Sequence, residues 1–190
     1  MWNEIKNSAL FTMGKHAINY PTSNWKRKIL RAEHSPIRDG FIIVEVYDIP
    51  SFVIGHFVRH NKGFQPYVRS LRVDRATYDK VPDRNTPNAM RFTGNFQSFI
   101  NISRKRFCNQ ASPETREVWK AIIDKVREVE PELANSCVRE CVYRNGLCPE
   151  MKPCNFNKSS EFKIELLDYL KGFENQVVSI DISEGGEINE

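Results

Sequence analysis

The amino-acid sequence predicts an α+β fold in a single domain. Helical patterns recur along the whole chain, whereas only a few short stretches have the composition of strands. The 190 residues are enough for one domain with a substantial core and too few for two domains of ordinary size. Hydrophobic residues make up 40% and charged residues 27% of the chain, which is the balance of a folded globular protein.

Two helices, a strand and a third helix are predicted in the first sixty residues. Residues 3–15 have a helical pattern, and a second helix begins after the cap signal Pro21-Thr22-Ser23 and ends near His34. Residues 40–49 are rich in β-branched and aromatic side chains, which predicts a largely buried strand. Pro50 then opens a helix that ends with Arg59-His60.

The middle of the chain predicts a functional loop. Residues 60–90 have no sustained period and contain several prolines and charges, so we expect an ordered loop that faces a ligand. A short strand is predicted near residues 89–93, and a helix over residues 95–108.

Two further helices are predicted in the second half. One begins at the cap Ser112-Pro113 and continues as an apolar stripe to Val126. The other follows Ser159-Ser160. We expect residues 176–190 to form a C-terminal strand and an acidic tail with a frayed end.

The distribution of charge narrows the class of partner. Residues 172–190 contain five acids and no Lys or Arg, so the rest of the chain carries +9 although the total is +4. The basic residues are dispersed, which favours small phosphorylated ligands and argues against a nucleic-acid strand. No segment has the composition of an export signal or a membrane span, so we expect a cytoplasmic protein with no membrane partner.

Two stretches carry the residue pattern of an enzyme family. The first contains His34-Ser-Pro-Ile-Arg38, Arg59-His60-Asn61 and Arg69-Ser70-Leu71-Arg72, and the second is Thr93-Gly-Asn-Phe-Gln-Ser-Phe-Ile-Asn101-Ile-Ser-Arg-Lys-Arg106. In this order, over roughly residues 10 to 130, the chain resembles the flavin-dependent thymidylate synthases, the ThyX family. Asn61 stands where that family has a third motif Arg, and Ser70 falls one place late.

The resemblance implies both a fold and an activity. The fold is a ThyX-like single domain over residues 1–175, with helices packed on a small mixed or antiparallel sheet and a Cys-rich loop at residues 137–154. The activity is the reductive methylation of dUMP to dTMP with methylenetetrahydrofolate, FAD and NADPH. The resemblance further implies a homotetramer whose active sites form at subunit interfaces.

The resemblance also assigns the site residues. The expected flavin-binding residues are His34, Arg59, His60, Asn61 and Asn101. The expected nucleotide-binding residues are His56, Arg69, Ser70, Arg72 and Arg106. Arg106 is the expected catalytic residue, which would polarise the pyrimidine ring.

Elementary chemistry supports these assignments. FAD and a nucleotide monophosphate bring several phosphates together, and the planar fork of Arg pairs with phosphate or with a pyrimidine carbonyl. Asn101 and Arg106 are five residues apart, so a helix with 3.6 residues per turn separates them by about 140°. One helix could therefore contact two ligands.

The sequence departs from the family at the residues that face the nucleotide. Where the family has an Asn-Glu pair, this chain has Phe64-Gln65-Pro66-Tyr67, which leaves the identity of the base open.

The cysteines permit two interpretations. Cys137, Cys141, Cys148 and Cys154 form C-x3-C-x6-C-x5-C, which could hold zinc or could be buried thiols that stabilise an irregular loop. Cys108 lies outside this group and is expected in the core. A zinc site together with the net positive charge of residues 1–171 would also suit a different class of protein, a zinc-stabilised nucleic-acid-binding module.

Three of the predicted site features have plain structural alternatives. His34 could cap the preceding helix, and His60 could interact only with a helix dipole. Arg104-Lys105-Arg106 could be an exposed basic face. Within the enzyme interpretation, the reaction could instead be methylation or hydroxymethylation of another pyrimidine deoxynucleotide.

Overall fold

A computed structural model describes residues 1–75 and 81–171 and has the expected α+β architecture. Eight α-helices and three strands occur within these residues. The elements are α1 (Trp2–Phe11), α2 (Ser23–Arg31), β1 (Phe41–Pro50), α3 (Ser51–Phe57), β2 (Phe64–Val68), β3 (Pro87–Asn95), α4 (Phe96–Arg106), α5 (Pro113–Val129), α6 (Pro131–Ser136), α7 (Glu140–Tyr143) and α8 (Ser160–Lys171).

The three strands form one antiparallel sheet with the order β1-β3-β2. Ile43 lies opposite Thr93, and Tyr67 lies opposite Arg91. The central strand therefore leads directly into α4, and the N-terminus of that helix is capped by Asn95, whose side chain accepts from the Ser98 amide. The sheet thereby fixes the position of the helix that carries the predicted ligand contacts.

The prediction of a largely buried β1 is wrong. Its residues alternate between exposed and partly buried, and Ile43 and Tyr47 are 50% and 63% exposed. Alternation arises because β1 is an edge strand of a sheet with helices on one face and an open opposite face. The sequence of β1 does not show this alternation, because its exposed and its covered positions both carry apolar side chains.

The prediction that residues 60–90 lack regular structure is also wrong in part, because β2 lies within them. Phe64 is buried and packs on Phe92, with the ring centroids 4.6 Å apart. Pro66 interrupted the strand pattern in the sequence, yet a proline is tolerated in an edge strand, where its missing amide faces solvent. Residues 76–80 of the predicted loop lie outside the described residues.

The longer predicted helices are confirmed, with small differences at their ends. The first ends at Phe11 and not at residue 15, and Gly14 then adopts a positive φ of 66°. The helix predicted over residues 50–59 is α3, for which Pro50 is the N-cap residue. The short helices α6 and α7, of six and four residues, were not predicted, because one or two turns give too few positions to show a period.

An aromatic cluster joins the sheet to the helices that surround the candidate site. The fully buried Trp119 of α5 stacks on Phe99 of α4 and on Phe92 of β3, at centroid distances of 5.8 and 6.5 Å, and it contacts Phe57 at 5.5 Å. The Trp119 indole donates to the Ser103 hydroxyl at 2.9 Å. The ends of α3 and α4 are thus held against the same helix.

The expected C-terminal strand and acidic tail, residues 176–190, lie outside the described residues. Among the helices of the described ranges, none combines the length and apolarity needed to cross a bilayer.

Candidate active site

Arg106 lies at the centre of a polar cluster between the ends of α3 and α4. Its Nε donates to the Nε2 atom of His60 at 2.9 Å, and its Nη2 donates to the main-chain carbonyl of His56. A ring nitrogen that accepts a hydrogen bond carries no proton, so His60 is the neutral tautomer with its hydrogen on Nδ1. The half-buried guanidinium is consequently held in place by two neutral acceptors.

His56 connects this cluster to the N-terminus of α5. Its Nδ1 lies 2.7 Å from the hydroxyl of the fully buried Thr115, which lies 2.9 Å from the hydroxyl of Ser112. Ser112 is the N-cap residue of α5, and its hydroxyl also accepts from the Thr115 amide. A helix N-terminus carries partial positive charge, so α5 adds to the positive potential at this place.

The electrostatics of the cluster favour an anion. Burial, followed by the charge of Arg106, lowers the pKa of His60 to about 4. Burial also lowers the pKa of His56, with further contributions from Arg106, Arg59 and Arg84. Within residues 1–75 and 81–171, no carboxylate forms an ion pair with Arg106 or Arg59. The two guanidiniums therefore bring positive charge that no carboxylate of these residues contacts directly, although Glu114 is close enough to raise the pKa of His56 slightly against their effect.

The state of His60 makes the stability of the protein depend on pH. A histidine pKa that folding lowers from 6.5 to about 4 means that the unfolded chain binds more protons between these values, so stability is lost as pH falls through them. We expect the His60 contribution between about pH 7 and about pH 5 to be a loss of about 1 to 2 kcal/mol. Urea unfolding of wild type and His60→Gln at both values measures it, since Gln keeps an acceptor without a titrating proton. Equal losses of stability in the two proteins would contradict the prediction.

The predicted flavin-binding residue Asn101 is linked through Gln97 to Glu33, the residue before His34. The side-chain amide of Gln97 donates to Asn101 at 3.2 Å and to Glu33 at 2.5 Å. Glu33 directly precedes His34 in the chain and adopts a positive φ of 48°. Asn101 and Arg106 contact different neighbours, as the angular separation of about 140° on a helix requires.

His34 is exposed and lines a groove of about 620 Å³ between α1, α2 and the turn that follows α2. The lining includes Trp25 and Lys28 and contains no carboxylate. The alternative that His34 caps the preceding helix is met by its main chain, since the His34 amide donates to the Ile29 carbonyl of α2 at 3.3 Å. Its side chain makes no capping hydrogen bond to the 3-10 helix that follows.

The other predicted nucleotide residues are not drawn into the cluster around Arg106. Arg69 donates to the Asn88 side chain at 3.3 Å and to the Pro87 carbonyl at 3.1 Å, which secures the start of β3. Arg72 forms a bidentate ion pair with Asp74 at 2.9 and 2.7 Å, and its amide donates to the Ser70 hydroxyl. Asn61, one of the expected flavin-binding residues, is exposed at the turn before β2. A role for these residues stays a prediction.

Sequence reasoning missed several residues that organise the site. Thr115 was read only as a helical position, although a buried threonine three residues after a serine N-cap is able to form side-chain hydrogen bonds there. Glu33 and Gln97 were also missed. Glu33 pairs with Arg104 as well, and Arg104 stacks on Tyr143 at 3.7 Å. The three-residue basic run is therefore not a uniformly exposed face.

The predicted four-cysteine zinc set is not assembled in the structure. Cys137 is buried in the core, where its thiol interacts with Ser103 and burial raises its pKa to about 12. Cys141, Cys148 and Cys154 line a separate small cavity, and the fourth cysteine there is Cys108, which is half-buried and not part of the core cluster. Sequence proximity had grouped Cys137 with the wrong neighbours.

Several solved structures resemble this fold. The ThyX flavin-dependent thymidylate synthase of Helicobacter pylori, complexed with FAD and dUMP, has a TM-score of 0.58 at 14% identity, and the match covers 73% of this chain and 96% of that one. A second Helicobacter pylori ThyX structure with FAD and dUMP has a TM-score of 0.58 at 12% identity, covering 72% and 92%.

A third similar structure has a related activity. The UMP/dUMP methylase PolB from Streptomyces cacaoi, bound with 5-Br dUMP, has a TM-score of 0.54 at 12% identity, covering 71% of this chain and 88% of that one. Neither a family profile nor a curated protein matches the sequence. At these identities the comparisons establish the fold, so the α+β, ThyX-like architecture predicted from the sequence is confirmed.

Proposed function

We propose that this protein is a flavin-dependent thymidylate synthase that converts dUMP to dTMP with FAD, NADPH and methylenetetrahydrofolate. The observation that carries the proposal is the Arg106 cluster, in which a half-buried guanidinium bonded to neutral acceptors lies near a second Arg and a helix N-terminus. Such a cluster suits an anionic nucleotide. The ThyX-like fold adds support, because similar folds have been solved with dUMP.

The groove beside His34 suits part of a flavin. Its volume of about 620 Å³ lies in the range of small-molecule sites, which is roughly 300 to 1,000 Å³. Trp25 offers an aromatic surface and Lys28 a cation for a phosphate. When bound, FAD would supply the redox chemistry of the reduction. His34 and Asn101 would hold it on one side of α4, with Arg59, His60 and Asn61 contributing from the segment after α3.

Arg106 would act on the nucleotide from the other side of the helix. Its fork could donate to a pyrimidine carbonyl, and stabilising negative charge on that oxygen makes C5 of the ring more nucleophilic. His60 and the His56 carbonyl fix the orientation of the guanidinium before a ligand arrives. This preorganisation reduces the cost of aligning the charge during the reaction.

The residues expected to complete the nucleotide site are Arg69, Ser70 and Arg72, with His56 closer to Arg106. A homotetramer is part of the proposal, since subunit interfaces would bring together residues that one chain keeps apart. Its support is the open sheet face, on which Phe41, Ile43, Tyr47 and Tyr67 are each at least half exposed. Light scattering of the purified protein measures the assembly.

The second candidate reaction uses the same site on a related base. The fold is also that of a UMP/dUMP methylase, and Phe64 to Tyr67 form a strand where the family has its Asn-Glu pair. Methylation or hydroxymethylation of another pyrimidine nucleotide is thus the alternative. Mass spectrometry of the nucleotide product separates the reactions, since the starting nucleotides differ in mass and a hydroxymethyl group is heavier than a methyl group.

Flavin binding provides the first test of the proposal. We expect the purified protein to be yellow or to take up added FAD. We expect Asn101→Ala to weaken FAD binding by about fivefold, as the loss of one hydrogen bond of roughly 1 kcal/mol predicts. Isothermal titration calorimetry measures the affinity, and Asn3→Ala, an exposed Asn of α1, is the matched control. A colourless protein with flat FAD titrations would remove the basis for a flavoenzyme.

A further inference from the structure

Four cysteines from two distant parts of the chain line one small cavity. Cys108 lies two residues beyond the end of α4, whereas Cys141 lies on α7 and Cys148 and Cys154 belong to the irregular segment after it. The cavity has a volume of about 10 Å³, which is room for about one water-sized particle. A site of this size suits a single ion and excludes an organic ligand.

The thiols interact with one another within this cluster. The side chains of Cys108 and Cys154 interact through a hydrogen bond. The thiol of Cys141 is close enough to interact electrostatically with both of them. Neutral thiols are weak hydrogen-bonding groups, so their mutual contacts alone contribute little stability. Sulfur ligands gathered from separate segments are, in contrast, the donor set of structural zinc sites.

The surroundings would stabilise thiolates bound to a cation. Arg139 lines the same cavity as the four cysteines. A nearby guanidinium would offset part of the net negative charge that four thiolates leave on a divalent ion.

The segment that carries Cys148 and Cys154 has little regular structure. Between α7 and α8, the regular structure is one three-residue 3-10 helix, Phe156–Lys158. Leu147 and Met151 are 72% and 101% exposed, so the segment buries few apolar side chains. Individual hydrogen bonds, such as Asn157 to the Gly146 carbonyl at 2.8 Å, hold it. A metal ion bound by cysteines of this segment and of the chain just beyond α4 would stabilise the segment in place of a hydrophobic core.

We propose that Cys108, Cys141, Cys148 and Cys154 form a structural zinc site that fastens the irregular segment to the end of α4. Among the described residues no three such donors are yet close enough to share an ion. Coordination therefore requires the sulfurs to close on the cavity, to about 2.3 Å from a common centre. The four thiols lose their protons to solvent as the Zn–S bonds form.

The site lies next to the candidate nucleotide cluster without depending on it. Cys108 follows Arg106 by two residues, and Lys105 forms an ion pair with Glu150 of the irregular segment at 3.1 Å. Zinc would thus anchor the C-terminal end of α4, on which the orientation of Arg106 depends. The zinc proposal concerns structure, so it can be right whether or not the protein binds a nucleotide.

Metal content of the purified full-length chain tests the proposal. We expect about one zinc per chain by mass spectrometry of the elements. Cys108→Ser, Cys141→Ser, Cys148→Ser and Cys154→Ser should each lose most of the zinc. Cys137→Ala is the matched control, because its thiol is buried elsewhere, and it should keep the full amount. Zinc loss in Cys137→Ala with retention in Cys108→Ser would overturn the ligand set.

A second measurement keeps the test decisive if the serine variants do not fold. Wild-type protein refolded with Co²⁺ should show the intense sulfur-to-cobalt charge-transfer absorption and the visible bands of a tetrahedral thiolate site. Peptide mapping after alkylation should find four thiols protected by metal and released by a chelator. A metal-free, stably folded protein, or one with a Cys108–Cys154 disulfide, would overturn the proposal.

Discussion

Replacement of Arg106 by Lys is expected to reduce turnover by two to three orders of magnitude while FAD binding persists. A lysine cannot donate to the His60 ring and the His56 carbonyl while offering a planar fork to a pyrimidine, so it loses both the orientation and the bidentate contact. Loss of one preorganised charged contact of this type costs about 2 to 4 kcal/mol of transition-state stabilisation. FAD affinity should persist because His34 and Asn101 make no contact with Arg106, and Asn101 lies about 140° away from it around α4.

The measurement pairs FAD affinity with the rate of dTMP formation from dUMP, methylenetetrahydrofolate and NADPH. Arg127→Lys is the matched control, since Arg127 is an exposed arginine of α5 that bonds to Asn135. That variant should retain the wild-type rate. If Arg106→Lys also turned over at the wild-type rate, Arg106 would be only a structural cation and the proposed role of α4 would fail.

Truncation of Trp119 to Ala is expected to have the largest effect on stability. Its ring packs against Phe57, Phe92 and Phe99, and its removal leaves a cavity between the sheet and two helices. Truncations of this kind cost about 3 to 5 kcal/mol, against a total stability of about 5 to 15 kcal/mol for a typical protein. We therefore expect a protein that is largely unfolded or only marginally folded near physiological temperature.

Circular dichroism during urea unfolding is the appropriate measurement, because the substitution removes one of the three tryptophans. Trp119→Phe preserves an aromatic ring and loses the hydrogen bond to Ser103, so it should cost less than the alanine variant. Ile164→Ala, at an exposed position of α8, should stay within about 0.5 kcal/mol of wild type. A cost below about 1 kcal/mol for Trp119→Ala would mean that the cluster repacks around the vacancy.

The sequence predicted the long helices and the central strand because each has enough positions to show a period. For α5, the cap at Ser112 and the stripe through Trp119 to Val126 both agree with the structure. β2 was missed because its five residues include Pro66, and only the sheet order reveals that an edge position tolerates it. Residues 64–68 form a strand because they pair with β3, and the sequence of these five residues alone does not reveal that pairing.

The candidate site was predicted in part for the same reason. Motif positions identified Arg106 and His60, but the contact between them joins residues 46 apart in the chain. Cys108, and not Cys137, lines the cavity with Cys141, Cys148 and Cys154, because the end of α4 lies beside the segment after α7. The spacing of the cysteines in the sequence could not show which four lie together. Cys137 follows α6 directly and is buried in the core, away from the cavity.

The proline in β2 has a consequence for the behaviour of the protein in concentrated solution. An exposed sheet edge normally presents amides and carbonyls to which a strand of another molecule can add, and this is a common first step of aggregation. Pro66 provides no amide at the middle of this five-residue edge, and a proline in an edge strand directs that missing donor outward. An incoming strand would find the ladder interrupted after two residues on either side. The same residue that hid the strand in the sequence protects its edge from growing into a larger sheet.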